Sequence, residues 1–348
     1  MNDTERESTR PPLVSVIIPL YNGAAYIGET LRAILAQTHT ALEVLVVDDG
    51  SSDDGLEVVR RMLDDRRLSL AVKKPLGIAG TRNVGLGLAS RDSEFVLFVD
   101  HDDVIARDLV ARLVELLARR PDASAGFAIA DFIDSEGDPL HPGEFASFMR
   151  DRTAATPKGM RTVAPTADVT LPEIFLGNHV YPPSGVLMRM PAVRAIRGFD
   201  PAYRVADDWD ALVRLSRIGP IVPLDLVMVG YRRHGRNASM NSGLNVRETR
   251  AVWANTYYSA ENAAEDRRRL RSAWRVFQRD TSKRKLTDAR SALRERRLYE
   301  SLRIGADGVA HRALRAPLRL WRLRGRGSER TLSEYAALAV REGSGEQE

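Results

Sequence analysis

Between residues 13 and 118 the chain alternates short β-branched runs with stretches whose apolar residues recur at helical spacing. That alternation restricts it to a mostly parallel sheet joined by crossover helices. Residues 14–18 read as a buried strand, followed by a helix over about 24–37 that places Tyr26, Ile27, Leu31, Ile34 and Leu35 on one face. A strand at 42–47 runs through Asp48-Asp49-Gly50-Ser51-Ser52 into a helix with Leu56, Val59 and Leu63 inward. A strand near 68–72 and a helical segment at 80–89 precede a strand at 95–99, which ends at Asp100-His101-Asp102-Asp103 and gives way to a helix at 109–118. A fifth strand is expected at 125–133. Residues 134–170 are rich in Gly, Pro, Asp and Thr without periodicity, and predict a long loop. A strand at 184–189, a helix at 208–218 and a strand at 221–231 then complete the same unit.

From about residue 245 the pattern is helical, with Pro317 its only proline. The expected organisation is therefore a disordered segment at 1–12, an α/β domain at 13–244 and a helical extension at 245–348. The net charge of +5 is unevenly spread: residues 245–348 carry 24 Lys and Arg against 14 Asp and Glu, whereas the remainder carries 28 against 33. The basic character belongs to the tail. There is no cysteine, which excludes disulfides, thiolate catalysis and Cys-bound metal, and leaves carboxylates and histidine as metal ligands. No apolar run approaches the roughly 18 residues of a membrane span, and Met1 to Arg10 is polar, so the expected location is the cytoplasm.

In an open α/β sheet, ligands bind beyond the carboxyl ends of the strands. Three such ends carry polar clusters here: Pro19-Leu20-Tyr21-Asn22, Asp48 to Ser52, and Asp100 to Asp103. Ser51, Ser52 and Asp53 are suited to capping the helix that follows, and Asp48 and Asp49 suit capping or ligand contact equally. Asp100, Asp102 and Asp103 crowd three carboxylates into four residues, an arrangement relieved by a bound cation or by solvation as an acidic turn. Oxygen ligation favours Mg²⁺ or Mn²⁺. No G-x-x-x-x-G-K-[ST] loop is present, so a bound diphosphate would depend on a metal for neutralisation. A second acidic group, Asp207-Asp208-Trp209-Asp210, opens a helix; its acids suit the helix dipole, and one of them suits a general base. Tyr231-Arg232-Arg233-His234 ends a strand, where Arg232 and Arg233 either line a solvated edge or contact phosphate.

These residues together resemble family 2 glycosyltransferases with the GT-A fold. The resemblance runs from Val14 to about Ser239. It rests on the segment Val14-Ser15-Val16-Ile17-Ile18-Pro19-Leu20-Tyr21-Asn22, Glu29-Thr30-Leu31 with Gln37-Thr38, and Glu43-Val44-Leu45-Val46-Val47-Asp48-Asp49-Gly50-Ser51. Further along it rests on Gly80-Thr81-Arg82-Asn83-Val84-Gly85, Phe98-Val99-Asp100-His101-Asp102-Asp103, Gly198-Phe199-Asp200, Asp207-Asp208-Trp209-Asp210 and Tyr231-Arg232-Arg233-His234. The resemblance implies an α/β, doubly wound, mostly parallel sheet of GT-A type with a C-terminal helical extension. It implies that Pro19 and Tyr21 flank the nucleotide base, with Asn22 beside them, that Asp49 hydrogen-bonds the base, and that Arg82 lies near the diphosphate. Asp100 and Asp102 resemble the D-x-D pair, the first reaching ribose or metal-bound water and the second binding Mn²⁺ or Mg²⁺, with His234 assisting. Asp208 matches the general base, and Asp207 stands where Glu is more usual. Arg107 stands where the family often has Pro.

The implied reaction is inverting transfer from a nucleotide-diphosphate sugar, a UDP-sugar in the first instance, to an acceptor hydroxyl. A nucleotidyltransferase would normally show a Gly-rich phosphate loop near the first strand, and an inactive scaffold would have lost some of the acids. Across 310–326, Ala310, Leu314, Leu318 and Trp321 recur at helical spacing among arginines. That helix suits either an anionic membrane surface, as a peripheral contact on its inner face, or the flank of the catalytic domain. No nucleic-acid module accompanies it, so nucleic acid is not an expected partner.

Overall fold

The computed structural model describes residues 10–150, 164–235, 237, 242–294, 317–321 and 330–343. A nine-stranded sheet runs through the molecule in the order β5-β8-β6-β7-β4-β1-β2-β3-β9. Its strands are β1 (Val14–Leu20), β2 (Leu42–Asp48), β3 (Leu68–Lys73), β4 (Phe95–Phe98), β5 (Val104–Ile105), β6 (Ala125–Ile133), β7 (Val186–Arg189), β8 (Ile221–Arg232) and β9 (Ala339–Gly343). Pairings β1–β2, β2–β3, β1–β4 and β6–β8 are parallel, and β5, β7 and β9 run antiparallel to their neighbours. All seven residues of β1 are buried, which is why Val14 to Leu20 reads as a continuous apolar run rather than an alternating one.

The first helices are α1 (Ile27–Leu35), α2 (Gly55–Arg60), α3 (Gly77–Leu88) and α4 (Leu109–Arg119). They are followed by α5 (Glu144–Arg150), α6 (Leu171–Leu176), α7 (Met190–Ala195) and α8 (Asp207–Leu215). The extension adds α9 (Ser242–Tyr257), α10 (Ala264–Arg294) and α11 (Leu332–Ala336). In α4 the spacing of Leu109, Val110, Leu113 and Leu117 lays one stripe on the core. In α3 eight residues from Ala79 to Leu86 are buried, because the helix lies between the sheet and α11. Close approach there demands glycine: a Cβ on Gly85 would stand 2.3 Å from Ile17 Cγ2 of β1, and one on Gly87 would stand 2.1 Å from the Leu332 carbonyl oxygen.

The strand order makes the position of the site a topological consequence. The chain builds β1, β2 and β3 in one direction and then crosses back to lay β4 on the other side of β1. In such a sheet the ligand crevice is expected at that switch point, beyond the carboxyl ends of β1 and β4. Those ends carry Tyr21-Asn22 and Asp100 to Asp103.

Several elements differ from the sequence reading. Tyr26 stands just before α1 rather than on its core face, and α8 begins at Asp207. The expected loop at 134–170 contains α5, whose residues Phe145, Ala146 and Met149 are buried; residues 151–163 lie outside the described residues. The two-residue β5 and the short helices α6 and α7 are too brief to leave a period. The extension is helical as expected at α9 and α10, where Leu270, Trp274 and Phe277 are buried, but it also supplies β9, paired with β3. Arg107, exposed, uses its carbonyl oxygen to accept the Thr38 N–H at 2.9 Å, so a side chain other than proline is accommodated there. Of the proposed helix at 310–326 only 317–321 is described. Trp321 is half-buried against the core with the Arg250 guanidinium 5.3 Å from its ring centroid, and the Tyr258 hydroxyl donates to the Pro317 carbonyl at 2.7 Å. That part of the segment packs on α9. No helix among the described residues is long and apolar enough to cross a membrane.

Substituting Gly85 by Ala forces Ile17 or the helix to move. The expected cost is about 1–3 kcal/mol, net of alanine's better helix propensity, and is read from the midpoint of urea denaturation. An unchanged midpoint would mean that α3 can lift off β1 freely.

Candidate active site

The loop after β1 is fixed before any ligand arrives. Asn22, with φ of 51°, donates its N–H to Ser51 Oγ at 3.0 Å, and its Oδ1 accepts the Ser52 N–H at 2.8 Å. Asp48 accepts the N–H groups of Gly50 and Ser51, which closes the turn after β2. Asp49, expected to meet the nucleotide base, is largely committed inside the protein. It pairs with the buried Lys73 ammonium and accepts the Leu76 and Gly77 N–H groups at 2.7 and 2.9 Å, capping α3 from a neighbouring strand end. Burial pulls Lys73 below the usual lysine range against the raising effect of Asp49. Pro19 lies buried at the end of β1, and Tyr21 beside it is 57% exposed, its ring available at the mouth of the crevice.

Arg82 projects from α3 into the centre of the site and is 3% exposed. One end of its guanidinium donates to Asp207 Oδ2 at 2.6 Å and the other to Asp100 Oδ1 at 2.7 Å. Its carbon lies 5.4 Å from the centroid of the Phe199 ring. Desolvation lowers its pKa, but Asp207, Asp100 and Asp208 outweigh that and hold it above the usual arginine range. The sequence reading places Arg82 near a diphosphate; the structure makes it a bridge between the two acidic clusters.

The acids after β4 turn to different partners. Asp100 faces Arg82, while Asp102 faces His234, whose Nε2 stands 2.8 Å from Asp102 Oδ2. His234 also stacks on Tyr26, with centroids 5.1 Å apart. Asp103 is fully buried. It accepts from Ser184 Oγ and from the Arg232 N–H, the latter at 3.1 Å, and its own carbonyl accepts the Thr30 hydroxyl at 2.9 Å. Burial raises the Asp103 carboxyl well above the usual range, reinforced by Asp102 and Asp100. Asp100 is raised by burial and by Asp102 against the opposing pull of Arg82.

Arg232 corrects the sequence reading. It is neither a solvated edge nor open to a phosphate, for it is completely buried with every side-chain nitrogen engaged. Nε donates to the Asp102 carbonyl at 2.8 Å, Nη1 to the Asp134 and Ser135 carbonyls at 2.9 and 3.1 Å, and Nη2 to Glu29 Oε2 at 2.6 Å. Its guanidinium also lies 4.8 Å from the Tyr26 ring centroid. Arg232 holds the Asp102 loop in place from beneath.

At the start of α8, Asp207 and Asp208 are both buried but differently partnered. Asp207 is ion-paired to Arg82. Among the described residues, Asp208 accepts the Trp209 N–H at 2.6 Å and a long contact from Asn178 Nδ2 at 3.4 Å. Burial first, and Asp207 second, push its carboxyl up to about 7, against the lowering effect of Arg82. The site therefore contains acids from β4 and α8, brought together across a buried guanidinium, with His234 on the β4 side. Sequence reasoning passed over Glu29, Ser184 and Asn178 as working residues. Glu29 lies within a segment of the family pattern, but Ser184 and Asn178 carry no local signal.

Residues 15–180 match the family model described as Glycosyl transferase family 2. The chain carries a family 2 glycosyltransferase domain. An uncharacterized glycosyltransferase of Nostoc sp. is 28% identical over 234 residues, covering 66% of this chain and 67% of the relative. The chain spans less than half the length of several other curated relatives that it matches. The crystal structure of TarS 1–349 from S. aureus in complex with UDP-GlcNAc shares the fold with a TM-score of 0.53 and 19% identity, over 86% of this chain and 92% of that one. A mannosyltransferase, PcManGT from Pyrobaculum calidifontis in complex with GDP-Man and Mn²⁺, gives a TM-score of 0.58 and 20% identity, over 87% of this chain and 75% of that one. At these identities the structures establish the GT-A fold that the sequence leads one to expect, and Asp100 and Asp102 stand at the expected strand end.

Replacing Arg82 by Met leaves Asp100 and Asp207 buried without their cation, at an expected cost of about 3–5 kcal/mol in urea denaturation. The double variant R82M/D207N should recover part of that loss. Additive losses would show that the bridge is not an interacting pair.

Proposed function

We propose that the glycosyltransferase domain catalyses inverting transfer of a sugar from a nucleotide-diphosphate sugar to an acceptor hydroxyl, with Asp208 as the general base. The observation that carries this reading is the unequal treatment of two adjacent carboxylates. Asp207 is matched by Arg82, whereas Asp208 is ion-paired to no cation among the described residues and its carboxyl is pushed up to about 7, where a base can both hold and release a proton near neutral pH. Asp208 would take the proton from the acceptor hydroxyl. The acceptor oxygen then bonds to the anomeric carbon on the face opposite the departing diphosphate, which leaves with the electron pair of the broken C–O bond.

Asp102 and His234 are the residues that would hold Mn²⁺ or Mg²⁺. Their facing atoms stand 2.8 Å apart, close to the roughly 3 Å between adjacent ligands of an octahedral ion with bonds of about 2.1 Å. Among the described residues no group of three or more acidic or histidine side chains is arranged to hold a metal ion. Two protein donors leave the remaining positions to diphosphate oxygens and water, the usual arrangement for an ion that arrives with a nucleotide. Such an ion would neutralise charge developing on the departing diphosphate. Asp100, turned to Arg82, would then reach the ion's water or the ribose rather than the ion itself. Pro19, Tyr21 and Asn22 form the wall proposed for the base. The UDP-GlcNAc and GDP-Man bound in the two structural relatives support a nucleotide-sugar donor, with a UDP-sugar the first to test.

Two measurements test this. Because the Asp208 carboxyl is protonated below its raised pKa, kcat/KM should fall about tenfold per pH unit below about 7 and level off above it. Asp208→Asn should remove turnover by at least about 100-fold while leaving donor affinity within about threefold. A near-normal rate in this variant would remove Asp208 from the mechanism. Separately, calorimetric titration with UDP and GDP should give binding that requires Mn²⁺, and Asp102→Asn should weaken the Mn²⁺-dependent part by at least about tenfold. Nucleotide binding indifferent to both the ion and Asp102 would overturn the metal assignment.

A further inference from the structure

The start of α8 is held from a distance by one residue of α9. Glu248 is 2% exposed, and its carboxylate accepts three successive backbone N–H groups: Arg204 at 3.0 Å to each oxygen, Val205 at 2.9 Å and Ala206 at 3.0 Å. Those are the three residues immediately before Asp207 and Asp208. The N-cap position of α8 is Ala206, which has no side chain able to cap, so the acceptor that fixes the approach to the helix comes from 42 residues further along the chain. A second tie lies two turns on along α9, where Asn255 Nδ2 donates to the hydroxyl of the buried Tyr203 at 2.8 Å. Ala251 and Val252, between them, are fully buried.

We infer that Glu248 is a positioning residue for the general base: by gathering the Arg204, Val205 and Ala206 N–H groups it fixes the first turn of α8, and so the direction in which Asp208 faces the crevice. The inference rests on the reading of Asp208 as the base. A stabilising contact alone has no need of a carboxylate here. Glu248 adds a negative charge near the Asp207-Asp208-Asp210 cluster, an unfavourable placement offset by charge-assisted hydrogen bonds to three converging donors. Oε2 alone accepts all three N–H groups, and Oε1 shares that of Arg204. Glutamine keeps the shape but has a single acceptor oxygen, and alanine has none.

The test uses the full chain and the variants Glu248→Ala, Glu248→Gln, Asn255→Ala and Asp208→Asn. Hydrogen exchange followed by mass spectrometry should show faster exchange over Arg204 to Asp208 in Glu248→Ala, with the peptides of β1 and β4 still protected. Release of UDP from UDP-GlcNAc, and of GDP from GDP-mannose, in the presence of Mn²⁺ should fall about 100-fold in kcat for Glu248→Ala. The affinity for UDP should stay within about threefold, and Glu248→Gln should recover most of the rate. Unchanged exchange at Arg204 to Asp208, or equal loss of UDP affinity and turnover, overturns the inference. Should Glu248→Ala not fold, Glu248→Gln and Asn255→Ala carry the same comparison, with a loss of a few-fold in kcat expected from each and an unaltered kcat in both overturning it. Asp208→Asn keeps the two readings separate. If that variant is active, the base assignment itself fails; if it is inactive while Glu248→Ala turns over normally, only the positioning role fails.

Discussion

The buried guanidinium of Arg82 is the interaction on which the site depends. Asp100 comes from the end of β4 and Asp207 from the start of α8, segments with no direct connection in the sheet, and Arg82 joins them at 2.7 and 2.6 Å. Several carboxylates in a shared, poorly solvated space repel one another, and without a cation they would be driven to protonate or to move apart. A guanidinium serves two carboxylates at once because its donors diverge in a fixed plane, which an ammonium group cannot reproduce. The reach of Arg82 depends in turn on how closely α3 lies on β1. Gly85 sets that distance through its contact with Ile17, so a packing requirement in the core is also a requirement of the site.

The same bridge explains how two neighbouring acids acquire different properties. Asp207 is neutralised in its pair with Arg82, and Asp208, one residue on, is left with burial and the adjacent charge as its dominant influences. Aspartate at position 207, where the family more often has glutamate, does not break the arrangement. The shorter side chain still meets Arg82 at 2.6 Å, because α3 brings the guanidinium to it. Arg232 does for the β4 side what Arg82 does for the centre. It binds the Asp102 carbonyl, the Asp134 and Ser135 carbonyls and Glu29, and thereby ties the β4 loop, the loop after β6 and α1 into one support beneath Asp102.

Much of the fold was legible because its central strands are buried on both faces and its helices are amphipathic. Val14 to Ile18, Val44 to Val47 and Phe95 to Val99 show it in runs of β-branched and aromatic residues, and the strand-end acids mark where ligands approach. What was hidden is what depends on separation. Arg82 and Asp207 are 125 positions apart, and Arg232 and Glu29 are 203 apart, so neither pairing leaves a local pattern. For Arg232 the failure has a physical source: an arginine at a strand end is ordinarily exposed, and only the convergence of four oxygens from three segments makes its burial affordable. Strand β9 escaped for a related reason. Ala339 to Gly343 has little β-forming character of its own, and β3, with Arg60 reaching Glu342 at 2.8 Å, provides the edge that organises it.

The C-terminal extension follows from these observations as part of the catalytic architecture rather than an appendage to it. Tyr335 is buried against Val47, Ala71 and Val84, the strands and helix that hold Asp49 and Arg82. At the other side, α9 grips the residues before α8 through Glu248 and packs against Trp321, while Trp274 of α10 fills the core beside Phe175 and Trp253. The described aromatic residues of the extension are buried or half-buried and most of its described arginines face outward. Its basic character is thus what remains at the surface after the apolar side chains have been used to pack against the domain. Truncation near residue 245 would strip the support from both the start of α8 and the β2–β3 side of the sheet, so the role of the extension cannot be separated from that of the domain it packs against.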